Sequence, residues 1–191
     1  MVHVSRDACP VHLSEWLLEE GLTPQGEWIT LHRGTETVLP SSPADLRVER
    51  VEPTQAACFA ETLCRGYGMP DDWAPLYEGI VGRDRWHHYM LSDGEVRIAT
   101  SSLFINGRSA WCGNSGTLQR YRRRGLHATL SRFRLRDGIE AGCELFTGET
   151  WMAKVGSVNP SLRNHMRDSW REAYIRTNYA PAPGWPDGIN A

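Results

Sequence analysis

The sequence has no apolar run approaching the roughly 20 residues that a membrane-spanning helix requires. Its N-terminus carries Asp7, Glu15, Glu19 and Glu20 and lacks the apolar centre of a secretory signal. Cysteine is sparse and unpatterned. The five residues Cys9, Cys58, Cys64, Cys112 and Cys143 are odd in number, irregularly spaced and free of any C-x-x-C pair. That argues against a disulfide framework or a structural zinc site, and for reduced thiols in a cytoplasm. Excess charge is also missing: 21 Lys and Arg stand against 23 Asp and Glu, for a net charge of -2. No global attraction to nucleic acid or to an anionic membrane follows from such a balance. Repeats of fixed period and low-complexity tracts are absent. One faint echo exists, because Leu18–Arg33 and Asp168–Tyr179 each read as a helix end followed by a strand.

What is present suits one globular domain with a sizeable core: 191 residues, 40% hydrophobic and 23% charged. The first 43 residues read as an extension. Leu13, Trp16 and Leu17 suggest a short amphipathic helix ended by Gly21, and Trp28–His32 a short strand. The Pro- and Ser-rich stretch Pro40, Ser41, Ser42, Pro43 marks the boundary, with the main domain over 44–191.

From Leu46 the order of elements becomes informative. Leu46–Val51 alternates like a half-buried strand, and Pro53 opens a helix that runs to about Gly66. A second helix is expected from Asp71 or Asp72 to Val81, with an aspartate as N-cap. Strands follow at Trp86–Leu91, Glu95–Ile105 and Ser109–Leu118, joined by Asp93-Gly94 and Asn106-Gly107, pairs that suit tight hairpin turns. A helix over Arg124–Ala141 buries Leu126, Leu130 and Phe133 and turns Arg132, Arg134 and Arg136 to solvent. Gly142 ends it. Glu144–Thr147 is a strand, Asn159–Asp168 a helix and Ala173–Tyr179 a last strand. The sum is a mixed α/β fold.

The segment Gln119–Ala128 carries Arg120, Arg122, Arg123 and Arg124 and runs from a strand into a helix. A helix start offers unpaired backbone N–H groups and positive dipole character, so the segment reads as an anion site. Gly125 lacks the Cβ that would keep a diphosphate from the backbone. An arginine run also fits a solvated face. A nucleic-acid role is disfavoured by the balanced charge and by the lack of an aromatic stacking platform beside the run.

Arg122-Arg-Arg-Gly-Leu-His127 resembles the R/Q-x-x-G-x-G/A signature of the Gcn5-related N-acetyltransferase (GNAT) family. Thr117–Tyr121 resembles the approach to that loop, and Gly142–Thr150 the fifth strand of one bacterial branch. Asn159-Pro-Ser-Leu-Arg-Asn164 and Tyr174-Ile-Arg-Thr-Asn-Tyr179 resemble that branch's ending. The likeness covers Leu46 to Pro181. It implies a mostly antiparallel central sheet flanked by helices, following the short helix-strand extension read above, and an N-acyltransferase that uses acetyl-CoA without a metal.

The resemblance also distributes roles. Thr117, Leu118 and Gln119 would meet pantetheine, and the backbone of Arg122, Arg123, Arg124, Gly125, Leu126 and His127 the pyrophosphate. Asn159 would meet the cofactor arm. An amine of a small molecule or amino-acid-like metabolite would attack the thioester directly. Its proton would pass to Glu149, and His165 would protonate the departing thiolate. The acceptor would come over Pro53–Val81, where Asp71, Asp72 and Glu78 can draw a cation. A homodimer is compatible with the pattern, and neither nucleic acid nor membrane is an expected partner.

Two positions depart from the family pattern: His127 stands where Gly or Ala is usual, and Ser169-Trp170 where Gly-Phe is. Both fit an alternative, a catalytically degenerate acyl-CoA-binding module. A longer acyl donor, or a peptide or protein acceptor, is a third reading. Structural readings compete for single residues too. His165 also fits a surface histidine, and Glu149 a carboxylate bonded to nearby backbone. Cys112 reads as buried core and not as a nucleophile. His87 and His88, adjacent on a strand, face opposite sides and are poorly placed to share a metal. Trp73, Tyr77 and Trp86 read as core or as the wall of an acceptor pocket.

Overall fold

The structure, a computed structural model, describes residues 1–8, 10–40, 46–153 and 156–181. The boundary stretch Ser41–Pro43 and Cys9 lie outside them. By compactness the described chain forms two units, which we call terminal (1–32 and 148–181) and central (33–147). The chain passes between them inside two strands.

The fold is mixed α/β, with strands that pair mostly antiparallel and are flanked by helices. In the central unit β3 (Arg47–Arg50), β4 (Trp86–Asp93), β5 (Val96–Asn106) and β6 (Ser109–Gly113) pair in sequence order as an antiparallel meander. Its hairpins turn at Gly94 and Gly107, with φ of 59° and 60°. Each glycine takes the first loop position, where a two-residue turn needs positive φ.

Helix α2 (Ala56–Tyr67) is preceded by a 3-10 turn at Pro53–Gln55, closed by reciprocal bonds between Glu52 and Gln55 that form a capping box. It ends in left-handed Gly68 and buries Phe59, Ala60, Leu63, Cys64 and Gly66. The second helix is shorter than expected. A 3-10 turn at Asp71–Trp73 leads into α3 (Ala74–Glu78), and no aspartate side chain caps it. Pro75 is the second residue of α3, so its first turn is set by a fixed φ and not by a carboxylate cap.

Helix α4 (Leu126–Glu140) corrects another expectation. Arg132 and Arg136 reach outward to the carbonyls of Pro40 and Leu39. Arg134 is 1% exposed. The reason is spacing: Leu126, Leu130, Arg134 and Gly138 recur every four residues and share one face. Gly138 completes that face because a Cβ there would stand 2.5 Å from the Phe146 ring.

The terminal unit holds β1 (Val2–Ser5), α1 (Leu13–Glu19), β2 (Leu22–Arg33 as far as His32), β7 (Leu145–Trp151 from Gly148), α5 (Pro160–Arg167) and β8 (Arg171–Pro181). Strand β8 pairs antiparallel with β1 on one side and β2 on the other. The echo in the sequence corresponds to two helix-turn-strand segments, α1–β2 and α5–β8, with left-handed Gly21 and Ser169 at the turns. Sequence reading missed β1 and the first half of β2. Pro24 and Gly26 look like breakers there, yet they are absorbed by a register shift between Pro24 and Glu27, with Gly26 at φ 121°.

Candidate functional site

The anion loop of the central unit is prepared by a bulge. Strand β6 stops at Gly113 and not at Leu118, because Asn114 takes φ 49°. The chain then rejoins β5 through a single bridge, Thr117 to Ala99. Between Ser102↔Gly113 and Ala99↔Thr117, four steps along the β6 side oppose three on β5, so one residue is extra. Thr117, Leu118 and Gln119 therefore lie beyond the regular strand. Leu118 N–H still bonds the Ile98 carbonyl at 3.0 Å. Leu118, Gln119 and Arg120 border an open depression of about 430 Å3.

Arg134 braces this bulge from below. Its Nη1 donates to the Ser115 hydroxyl at 2.8 Å and to the carbonyls of Gly113 at 3.0 Å and Ser102 at 3.4 Å. A buried guanidinium is costly unless bonded, so its bonds fix the bulge against α4. Sequence reading missed this residue, though its four-residue spacing from Leu130 was a usable signal.

After a 3-10 turn at Gln119–Tyr121 the loop enters α4 through Arg123 at φ 65° and the N-cap Gly125 at φ 77°. Among the described residues no side chain caps this helix start, and a Cβ on Gly125 would meet nothing within 4 Å. The first turn of α4 therefore faces open space over a glycine. Leu126 is buried and His127 half-buried.

The arginine side chains are shared out unevenly. Arg122 donates to the carbonyls of Thr117 at 3.3 Å and Gly66 at 2.9 Å. Arg124 pairs with Asp93 at 3.1 Å and, like Arg120, lies over the Tyr121 ring. Arg122 and Arg124 thus hold the loop in place, while exposed Arg120 and Arg123 join the backbone N–H groups as what the loop offers an anion.

In the terminal unit Asn159 is the N-cap of α5. Its Oδ1 accepts from Leu162 N–H at 3.1 Å, while Nδ2 donates to Thr150 Oγ1 at 2.9 Å and to the Trp151 carbonyl. Both amide hydrogens are engaged in tying α5 to the end of β7. Glu149 is half-exposed on β7, and its Oε2 accepts from Arg176 Nη2 at 2.7 Å. It bonds a guanidinium and not the nearby backbone. A cavity of about 520 Å3 opens here, bordered by residues of β1, β7 and β8 that include His3, Glu149 and Arg176.

His165 is 4% exposed and so is not a surface histidine. Its Nδ1–H donates to the Ser161 carbonyl at 2.8 Å, and its ring meets Trp170 edge-on at 5.0 Å. Ser169 takes φ 63°, while Trp170 N–H bonds the His165 carbonyl at 3.1 Å and Ser169 N–H the Met166 carbonyl at 3.3 Å. That is a Schellman ending with serine in glycine's place, and His165 and Trp170 supply its side-chain contact. Serine here keeps the left-handed turn that glycine would make and carries the strain of its Cβ.

The remaining candidates sort cleanly. Cys112 is buried, which raises its thiol pKa against a smaller opposing effect of Arg134. It is no thiolate nucleophile near neutrality. His87 Nδ1 bonds Asp137 at 2.8 Å, whereas His88 Nε2–H donates to the Ile80 carbonyl at 3.1 Å and Nδ1 accepts from Ser102 at 2.8 Å. The two rings serve opposite faces, as expected. Trp86 joins an aromatic group with His88, Phe104 and Trp111, and Tyr77 packs against Val51, Phe59, Leu63 and Met90. Asp71, Asp72 and Glu78 are exposed. Among the described residues no cluster of His, Cys, Asp or Glu is arranged to hold a metal, and no helix is long and apolar enough to cross a membrane.

No protein-family model matches the sequence, and no curated protein matches it. Solved structures share its fold. A GCN5-related N-acetyltransferase from Kribbella flavida aligns with TM-score 0.70 at 18% identity, over 95% of this chain and 68% of that one. Another, from Sphaerobacter thermophilus, aligns with TM-score 0.72 at 12% identity, over 93% of this chain and 57% of that one. The GCN5-related glucosamine N-acetyltransferase region of a fungal multi-domain GH3 β-N-acetylglucosaminidase gives TM-score 0.66 at 13% identity, over 93% of this chain and 24% of that one. The chain thus spans only part of each. It has the GCN5-related N-acetyltransferase fold.

Proposed function

We propose that this chain is a GNAT-family N-acetyltransferase that moves acetyl from acetyl-CoA to the amine of a small molecule or amino-acid-like metabolite. The observation that carries the reading is the uncapped start of α4, with left-handed Gly125 over open space, set immediately after a bulged strand end. A diphosphate fits such a start, because backbone N–H groups and the helix dipole favour it and no side chain competes. The glucosamine N-acetyltransferase neighbour supports an amine acceptor by likeness of fold.

In this reading the backbone of Arg122–His127 holds the pyrophosphate, and the backbone of Thr117–Gln119 holds pantetheine. Arg122, Arg124 and Arg134 keep both stretches in position. Bound acetyl-CoA supplies a thioester. The acceptor nitrogen forms a bond to the acetyl carbon as the C–S bond breaks, so no acyl-enzyme is needed. Glu149 takes the proton that the amine loses, directly or through water. His165, whose Nδ1 is bonded to Ser161, is assigned the proton that returns to the thiolate. Asn159, which anchors α5 to the end of β7, is assigned contact with the cofactor arm. We propose a cytoplasmic protein with a small-molecule amine as partner, without metal, nucleic acid or membrane, and with a homodimer as a compatible assembly.

A second reading, an acyl-CoA-binding module without turnover, draws on one observation: the carboxylate assigned as base is bonded to Arg176. The test separates the two. CoA should raise the melting temperature by mass action, and acetyl-CoA should turn over with a panel of small amines. A CoA shift without turnover supports the module; no CoA shift overturns both.

A further inference from the structure

The cavity of the terminal unit contains charge of both signs. Arg176 is 7% exposed, so it is more than nine-tenths buried, and it borders a space of about 520 Å3. Among the described residues its single hydrogen bond runs from Nη2 to Glu149, and its Nε has no partner. The Trp28 ring, 5.8 Å from the guanidinium carbon, backs it. A buried guanidinium with spare donors is incomplete, because each N–H removed from water without an acceptor costs free energy.

The same space is bordered by two carboxylates, Glu149 and Asp7. His3, also on its border, adds little positive charge: desolvation first, and the Arg176 charge second, lower its pKa. A simple anion such as phosphate would satisfy Arg176 and meet Glu149 and Asp7 as like charges. A simple amine would satisfy the carboxylates and leave the guanidinium short of acceptors. A zwitterion satisfies both. Ala8 and the ring of Tyr174 on the same border offer apolar surface to a side chain.

We infer that this cavity binds the acceptor as a free α-amino acid, with its carboxylate on Arg176 and its amino group toward Glu149. The inference rests on the acyltransferase reading, narrows its acceptor to one class, and assigns it to this cavity in place of the approach over Pro53–Val81 expected from the sequence. Glu149 then has two consecutive tasks: it pairs with Arg176 in the free protein, and it receives the ammonium once the ligand's carboxylate engages the guanidinium. Arg suits the first partner because its fork can bond both carboxylate oxygens at once.

The test is calorimetric binding to the full chain, in the presence of CoA, of L-leucine and L-phenylalanine against isopentylamine and phenethylamine. Each pair differs only in the carboxylate. The amino acids should bind at least about tenfold more tightly, since a buried polar group rejects the analogue that leaves it unpaired. Arg176→Gln should abolish that preference, and Arg176→Lys should keep part of it by retaining charge without the fork. Equal binding of acids and amines to the wild type, or an undiminished preference in Arg176→Gln, overturns the inference. Should Arg176→Gln fail to fold, the wild-type comparison and Arg176→Lys still decide it. Failure here, alongside an intact CoA thermal shift and acetyl transfer to another amine, leaves the acyltransferase reading standing. Loss of the CoA shift removes that reading independently.

Discussion

Arg122 on the anion loop donates through Nη2 to the carbonyl of Gly66, near the end of α2, at 2.9 Å. The contact is close because Gly66 has no side chain: a Cβ there would stand 2.9 Å from the Gly116 carbonyl carbon and the Thr117 nitrogen. The loop is therefore built against a helix far from it in sequence. Gly66→Ala should force the 116–117 segment outward and destabilise the protein by about 1–3 kcal/mol, as overpacking does. CoA affinity should fall with it, read as a smaller thermal shift at equal ligand concentration. An unchanged CoA shift in a folded Gly66→Ala protein would detach the loop's geometry from α2.

Gly125 tests the anion site more directly. Its φ of 77° alone makes any L-residue strained there, at about 1–2 kcal/mol. Space for a Cβ exists in the free protein, so Gly125→Val should fold with a modest loss of stability and yet give no CoA-dependent rise in melting temperature. A wild-type rise would show that the pyrophosphate lies elsewhere.

Direct transfer predicts that Cys112→Ala keeps most of the activity. Burial holds this thiol protonated, and the proposed attack is made by the acceptor amine. Mass spectrometry should find no acetyl group on Cys112 after mixing with acetyl-CoA. Trapping one would demand a two-step scheme.

Ser169 offers a gain of stability. A non-glycine residue at φ 63° pays for its Cβ, and Gly at the C′ position of a Schellman ending does not. Ser169→Gly should stabilise by about 0.5–1 kcal/mol, seen as a melting temperature higher by roughly 1–4 °C. A lower melting temperature would mean that the serine hydroxyl contributes more than the strain costs.

His88 should leave a mark on the pH dependence of stability. Burial lowers its pKa from 6.5, partly opposed by its bond to the Ile80 carbonyl. The unfolded chain then takes up a proton at a higher pH than the folded one. The stability contributed by neutral His88 is present above about pH 6.5 and is lost as the pH falls below it, until the folded pKa is reached. His88→Gln should flatten the melting-temperature profile across that window. An unchanged slope would assign the acid sensitivity to other groups.

His165 is assigned chemistry on top of a packing role. Its loss should lower kcat by about 10²-fold with little change in the KM for acetyl-CoA. His165→Gln keeps a hydrogen-bonding arm on α5, so its kcat should fall as far as that of His165→Ala while its melting temperature falls less. If kcat stays above half of wild type, His165 only closes the turn with Trp170.

Local order was legible in the chain itself. The hairpin glycines, Pro53 at the start of α2's turn and the glycine-led start of α4 follow from backbone preferences that act within a few residues. The anion loop could be placed for the same reason, since a glycine and a helix start are both local facts. What the arginines do could not be read that way. Arg122 turns to Gly66, Arg124 to Asp93 and Arg134 inward to a bulge, because each charge settles where folding delivers acceptors from distant segments. The Asn114 bulge that shortens β6 was hidden too, since one extra residue is defined only by the partner strand that lacks it. Arg176 could be read in the chain only as one member of the Tyr174–Tyr179 motif, with no role attached to it. Its meaning comes from β1, β7 and β8 closing around it, and desolvation by neighbours remote in sequence is a property that only the tertiary structure confers.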